Sequence, residues 1–223
     1  MTEILLIRHG QASFGAANYD ALSDHGRQQA RWLGEHFAAL GVRPSRVITG
    51  SLSRQIDTAA EIRIGMGDAA QDWPEREEHA GFNEYDAELM AANWRGGGPA
   101  PAHADRRDHF RDLTKALAAW QRAEVEAEES WAAFEARTSA AMAEVSRLVE
   151  GATGPVLVAT SGGVIGELIR KAVGAPPASW IKVHMQVRNG GYSRIMAGRG
   201  GLSLASFNET PHLDLRPGAV TYS

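Results

Sequence analysis

The chain of 223 residues contains no cysteine, which excludes disulfide staples, thiolate metal ligands and a cysteine nucleophile. It also lacks an excess of positive charge. With 23 Lys and Arg against 27 Asp and Glu the formal net charge is -4, so neither nucleic acid nor an anionic membrane is an expected partner. No apolar run approaches the length of a bilayer-spanning helix, and no basic region followed by an apolar stretch stands at the start; the expectation is a soluble, cytoplasmic protein. No two histidines flank an acid at helical ligand spacing, so no metal and no cofactor are expected. The run Gly96-Gly97-Gly98-Pro99 lacks the lysine and following serine or threonine of a phosphate-cradling loop, and reads as a hinge. What is present is a hydrophobic content of 43%, enough for one α/β domain with a sizeable insertion.

The organising stretch is Ile4-Leu5-Leu6-Ile7, four consecutive branched apolar residues that run into Arg8-His9-Gly10. Such a run reads as a strand buried on both faces whose carboxyl end delivers chemistry. Residues 11 to 22 read as a loop over that end. Ser23 is a candidate N-cap for a helix from Asp24 to Leu40, with Ala30, Leu33, Phe37 and Leu40 on one stripe and Gly41 at the stop. Val47-Ile48-Thr49-Gly50 supplies a second strand, and Ser51-Leu52-Ser53 opens a helix with Arg54 on its first turn. Strand and helix in alternation predict a parallel sheet, with Arg8, His9 and Arg54 arriving at one rim.

The middle of the chain reads differently. Residues 65 to 104 are expected to be loop-like, with a solvated acidic run at Glu75 to Glu78, and helices are expected at 105–128 and 130–150. Residues 65 to 128 are read as a loop and helical cap inserted within a single domain spanning 1–223. The sheet resumes at Pro155 to Thr160, and Ser161-Gly162-Gly163 opens a further helix whose free amides make an anion site. Strands are expected around Trp180–Val187, Tyr192–Met196 and Leu202–Phe207.

Six of these segments, in order, resemble the histidine phosphatase superfamily, in its phosphoglycerate mutase-like branch. They are Leu6-Ile7-Arg8-His9-Gly10-Gln11; Asp20-Ala21-Leu22-Ser23 with Gly26, Gln29 and Ala30; Ser51-Leu52-Ser53-Arg54 with Thr58 and Ala59; Phe82-Asn83-Glu84; Val158 to Ile165; and Asn208 to Leu213. The resemblance implies a three-layer α/β/α sandwich with a mostly parallel central sheet and a helical cap. It also implies phosphoryl transfer to and from small phosphorylated metabolites.

Phosphoryl transfer needs an in-line nucleophile, cations around the non-bridging oxygens and a proton for the leaving group. His9 fits the first role as a neutral imidazole, giving a phosphohistidine. Arg8 and Arg54 fit the second as permanently charged forks. Glu84 fits the third by its match to the family's acid segment, with Asp86 and Glu88 as competitors. Gln11, Ser161 and Gly162 complete the expected phosphate-binding set. One departure is plain: the family pattern has histidine before the two glycines, and this chain has Ser161. The expectation is a slowed phosphomonoester hydrolase, with Ser161→His raising turnover and with His184 or His212 as replacements that could fold back. The alternatives are mutase-type transfer, disfavoured by Gln11 where the mutases carry glutamate, and a catalytically impaired phosphoryl-binding protein. Oligomerisation is left open, since the edge made by the last strands could pair between chains.

Overall fold

The apolar runs predicted as buried strands do form the centre of one sheet. The computed structural model describes residues 1–13, 20–96, 106–148 and 151–222. In chain order the elements are β1 (Thr2–Arg8), α1 (Asp24–Ala39), β2 (Arg46–Thr49), α2 (Ser53–Met66), β3 (Arg76–Glu78), α3 (Ala87–Trp94) and α4 (Arg106–Gln121). They continue with α5 (Trp131–Leu148), β4 (Val156–Thr160), α6 (Gly162–Ala172), α7 (Ser179–His184), β5 (Tyr192–Gly198), β6 (Gly201–Glu209) and α8 (Pro211–Asp214). The strand order is β3-β2-β4-β1-β5-β6. The first four strands run parallel, and β5 and β6 add an antiparallel edge.

Side chains alternate across β1 and so feed two separate cores. Ile4 and Leu6 join Val156 and Val158 under α4, α5, α6 and α7, with Trp120, Phe134, Leu168 and Trp180. Leu5 and Ile7 join Leu157 and Ala159 under α1 and α2, with Leu33, Phe37 and Ile62. Helices on both faces of a mostly parallel sheet give the three layers. The in-register pairs Ile7↔Ala159 and Arg8↔Thr160 bring the carboxyl ends of β1 and β4 side by side. At those ends both loops enter helices, which is where ligands of open parallel sheets bind.

Ser23 caps α1 as expected, its hydroxyl accepting from the Gly26 amide at 3.0 Å. Three expectations are corrected. Residues 65 to 104 are not simply loop: Arg76–Glu78 pairs with β2 through Val47↔Arg76 and Thr49↔Glu78, and α3 follows, its cap the Asp86 carboxylate accepting from Leu89 N at 2.8 Å. A three-residue charged edge strand has no apolar alternation to read, and an eight-residue helix that buries only Met90 leaves little periodicity. The segment expected as a strand around Trp180 contains α7. Its β-rich composition concealed helical spacing of Trp180, Val183 and Val187, and the helix packs on α6 with Trp180 fully buried. The helix expected to reach residue 128 stops at Gln121, where Ala123 takes a φ of +57°. Residues 97–99 of the expected hinge lie outside the described residues, as do residues 14–19 of the loop expected over β1. No helix among the described residues is long and apolar enough to cross a membrane.

Candidate active site

His9 follows β1 directly and is nearly buried, at 5% exposure. Its amide donates to the Thr160 carbonyl at 2.9 Å and its carbonyl accepts from Gly190 N at 3.2 Å, so its backbone is fixed by the end of β4 and by the turn that precedes β5. The next residue must be glycine, because a Cβ at Gly10 would stand 2.2 Å from the Gly26 carbonyl oxygen. That close approach presses the end of β1 against the first turn of α1. The ring is oriented by two bonds. Nδ1 donates to the Gly10 carbonyl at 2.7 Å, and Nε2 accepts from Arg54 Nε at 3.2 Å. A carbonyl can only accept, so the proton sits on Nδ1 and Nε2 keeps its lone pair. Burial, then the charges of Arg54 and Arg8, hold His9 well below the ordinary imidazole range, against the pull of the Gly10 carbonyl.

Arg54 comes from the first turn of α2. The helix N-cap, Leu52, has no side chain able to cap. Asp20 does that work from a distant loop: its Oδ2 accepts from Ser53 N at 2.7 Å while its Oδ1 pairs with Arg54 Nη1 at 2.7 Å. Thr58 on the same helix accepts from Gly10 N at 3.1 Å and donates to the Arg54 carbonyl at 2.7 Å, tying α2 to the end of β1. Arg8 is buried, with Nη1 donating to the Val187 carbonyl. Its Nε lies 3.3 Å from where a Cβ on Gly162 would stand.

Glu84 meets the first turn of α6, where Gly163 N donates to Oε2 at 2.9 Å. A Cβ at Gly163 would stand 2.3 Å from Glu84 Oε1, so the acid's seat requires this glycine. Burial raises the Glu84 carboxyl above the ordinary range, and the Gly163 amide and the two arginines only partly oppose it. The competing acids are elsewhere engaged: Asp86 caps α3, and Glu88 is exposed. The segment carrying Glu84 is pinned by Phe82, whose carbonyl accepts from Thr160 Oγ1 at 2.6 Å and Gln55 Nε2 at 3.0 Å, and by Arg137 Nη1 on the Asn83 carbonyl at 2.7 Å.

Ser161 is the N-cap residue of α6 but its side chain makes no capping bond. The fully buried hydroxyl accepts instead from Gln55 Nε2 at 2.8 Å. His184 reaches the flank of this turn. Its Nε2 shares a hydrogen bond of 3.0 Å with the Tyr85 hydroxyl, its ring stacks on Trp180, and its Nδ1 lies 3.2 Å from the Gly162 Cβ position. Burial and the Arg8 charge lower it to about 3, so this imidazole is neutral. His212 does not fold back: its Nε2 hydrogen-bonds the Gly190 carbonyl at 3.0 Å and its ring stacks on His36.

Arg8, His9, Arg54, Glu84, Ser161 and Gly162 therefore come together at one rim. Gln11 flanks them, with Oε1 accepting from Ser23 Oγ at 3.0 Å, and its described bonds run to α1 and its cap. Asp20, Gln55 and Tyr85 are the residues a sequence reading passes over. Asp20 carried a signal, as part of a matched segment; Gln55 and Tyr85 are visible only once the elements are packed. Among the described residues no group of three or more metal-ligating side chains is suited to hold an ion.

Comparison with known proteins agrees with this fold. No curated protein matches the chain in sequence. Among solved structures, it superposes on an Entamoeba histolytica phosphoserine phosphatase with a TM-score of 0.67 at 18% identity, over 96% of this chain and 100% of that one. A Bacillus anthracis phosphoglycerate mutase gives 0.66 at 19%, over 95% of each chain. An Escherichia coli K-12 protein described as a putative alpha-ribazole-5'-P phosphatase gives 0.64 at 25%, over 94% and 97%. The family model for branch 1 of the histidine phosphatase superfamily matches residues 4–210, and the chain belongs to that family.

Proposed function

We infer that the protein hydrolyses phosphomonoesters of small metabolites through a phosphohistidine on His9. The observation that carries this reading is the His9 ring. Its Nδ1 proton is fixed on the Gly10 carbonyl, and the unprotonated Nε2 keeps a lone pair that accepts from Arg54 Nε. In the first step Nε2 attacks phosphorus, the bond to the ester oxygen breaks, and Glu84 gives its proton to the departing alkoxide. Arg8 and Arg54 balance the charge on the non-bridging oxygens. In the second step water attacks the phosphohistidine, Glu84 takes the water's proton, and the N–P bond breaks to release inorganic phosphate and restore Nε2. A raised carboxyl pKa suits Glu84 to both halves.

The family and the phosphatases among its structural relatives support this class of chemistry. The E. coli relative, described as a putative alpha-ribazole-5'-P phosphatase, marks one substrate to test first. The cap from residue 65 to 128, within one domain, is proposed to select the alcohol portion. The test is release of phosphate from a panel of phosphorylated metabolites by wild type and His9→Ala. Activity is expected from the first only; equal release from both would place the chemistry at another site.

A further inference from the structure

The Ser161 hydroxyl has a partner on one side and, among the described residues, no acceptor on the other. Gln55 is fully buried, and its amide orientation is fixed because the Phe82 carbonyl, which can only accept, lies 3.0 Å from one terminal atom. That atom must be Nε2. The same Nε2 stands 2.8 Å from Ser161 Oγ, so Gln55 donates and the serine oxygen accepts. The hydroxyl hydrogen must then point away from Gln55. Among the described residues nothing accepts it, and it does not turn back to cap its own helix.

A buried donor without an acceptor is rare in folded proteins and is kept where a ligand supplies the missing partner. The surroundings say what that ligand is. Ser161 sits at the end of β4 beside His9, whose amide is bonded to the preceding residue, Thr160. The next residue, Gly162, adjoins Arg8, and the one after it donates to the acid. Gln55 itself is the neighbour of Arg54 on α2, so one helix turn delivers both a phosphate cation and the side chain that aims the hydroxyl.

We propose that Gln55 is a positioning residue that holds the Ser161 hydroxyl as a hydrogen-bond donor to a phosphoryl oxygen at His9. The proposal rests on the phosphohistidine reading given above. Gln55 never touches the substrate; it acts through Ser161. Its two donated bonds also join Ser161 to the Phe82 carbonyl, so the hydroxyl and the acid segment are set by the same side chain.

The test is a double-variant cycle of Ser161→Ala and Gln55→Leu, with an aryl phosphate as substrate and orthovanadate as a mimic of the five-coordinate state. Ser161→Ala is expected to lower kcat about 100-fold, the size of effect seen when one oriented donor is removed. Gln55→Leu is expected to lower it about tenfold, and the double variant to match Ser161→Ala. KM and both limbs of the pH profile stay in place, and vanadate Kd rises by the same factors as kcat falls. Losses that multiply in the double variant, or a Ser161→Ala protein with unaltered kcat and vanadate Kd, would overturn the proposal. If Gln55→Leu fails to fold, the near-isosteric Gln55→Met, which also cannot donate to Ser161, takes its place in the cycle. His9→Ala separates the two claims: activity surviving there removes the phosphohistidine reading and this proposal with it. Activity lost there, with multiplying losses in the cycle, removes only the role of Gln55.

Discussion

At His9 one proton decides the chemistry, and its location follows from a single carbonyl. The imidazole must be neutral to attack and the Glu84 carboxyl must be protonated to assist departure. His9 lies below its ordinary value and Glu84 above its own, so the acid limb of kcat/KM falls below about pH 6.5 and the alkaline limb above about pH 4.5. The expected profile is a bell, with His9 setting the acid limb and Glu84 the alkaline one. Glu84→Gln is predicted to flatten the alkaline limb and to lower kcat on an alkyl phosphate about 100-fold or more, and far less on an aryl phosphate that leaves without a proton. Equal losses on both substrates would contradict the role of Glu84. Sequence alone suggests that Ser161→His should raise turnover, but Ser161 is fully buried and Gln55 Nε2 stands 2.8 Å from its Oγ, so a ring there must displace Gln55. The single variant is therefore expected to lose stability, by about 1–3 kcal/mol as overpacking does, and to gain no rate. Adding Gln55→Ala opens room for the ring, so any gain should show only in the double variant, measured by phosphate release and thermal unfolding.

The helices α2 and α6 share a device at the scale of the element. Neither is capped by its own N-cap side chain. An acid from a distant loop closes each first turn instead, Asp20 at Ser53 N and Glu84 at Gly163 N. The same contacts that satisfy the helix ends also aim Arg54 and Glu84, the proposed catalytic groups. Asp20→Ala is predicted to cost about 1 kcal/mol in urea unfolding and at least tenfold in kcat/KM. Asp20→Asn keeps an acceptor for Ser53 N while dropping the charge beside Arg54, so it should recover stability without recovering rate. Parallel recovery of both would mean that Asp20 serves only the helix. Gly163→Ala drives a methyl into the Glu84 carboxylate and should reproduce the Glu84→Gln kinetics. The helix starts at Ser53 and Gly162 were legible as strand-to-helix turns, but the acids that close them were not. A cap supplied from a residue 33 or 79 positions away leaves no local pattern. For the same reason β3 and α7 escaped: one is three charged residues, the other a β-rich segment made helical by packing on α6.

The whole molecule carries buried neutral histidines, and this sets how its stability responds to pH. His184 is lowered to about 3 and His212 to about 4, while His9 and His36 are lowered as well. Each binds a proton more readily unfolded than folded, so stability is lost as pH falls from about 6.5 toward the folded values. Glu84 has the opposite sign, favouring the fold at low pH and losing that contribution as pH rises above about 4.5. Four groups outweigh one, and Glu61, lowered by Arg31 and Arg27, adds to the four. The unfolding midpoint in urea is predicted to drop steadily from pH 7 to pH 4; a flat or rising midpoint would show that these rings are solvated. The layered architecture was legible because Ile4 to Ile7 and Val156 to Ala159 are apolar on both faces, which only a covered parallel sheet accommodates. The set around His9 was legible for a related reason, that strand ends in such a sheet converge on one rim. Its supporting residues, Gln55 and Tyr85, become visible only once α2, the acid segment and α7 are packed together.

The central claim is a covalent phosphoryl adduct on one imidazole nitrogen. The most direct measurement is a rapid alkaline quench of the protein turning over an aryl phosphate, followed by intact-mass and peptide mass spectrometry. The account predicts an acid-labile phosphate on the peptide carrying His9, absent from His9→Ala and longer-lived in Glu84→Gln. Released phosphate with no adduct on His9 at any quench time would contradict it.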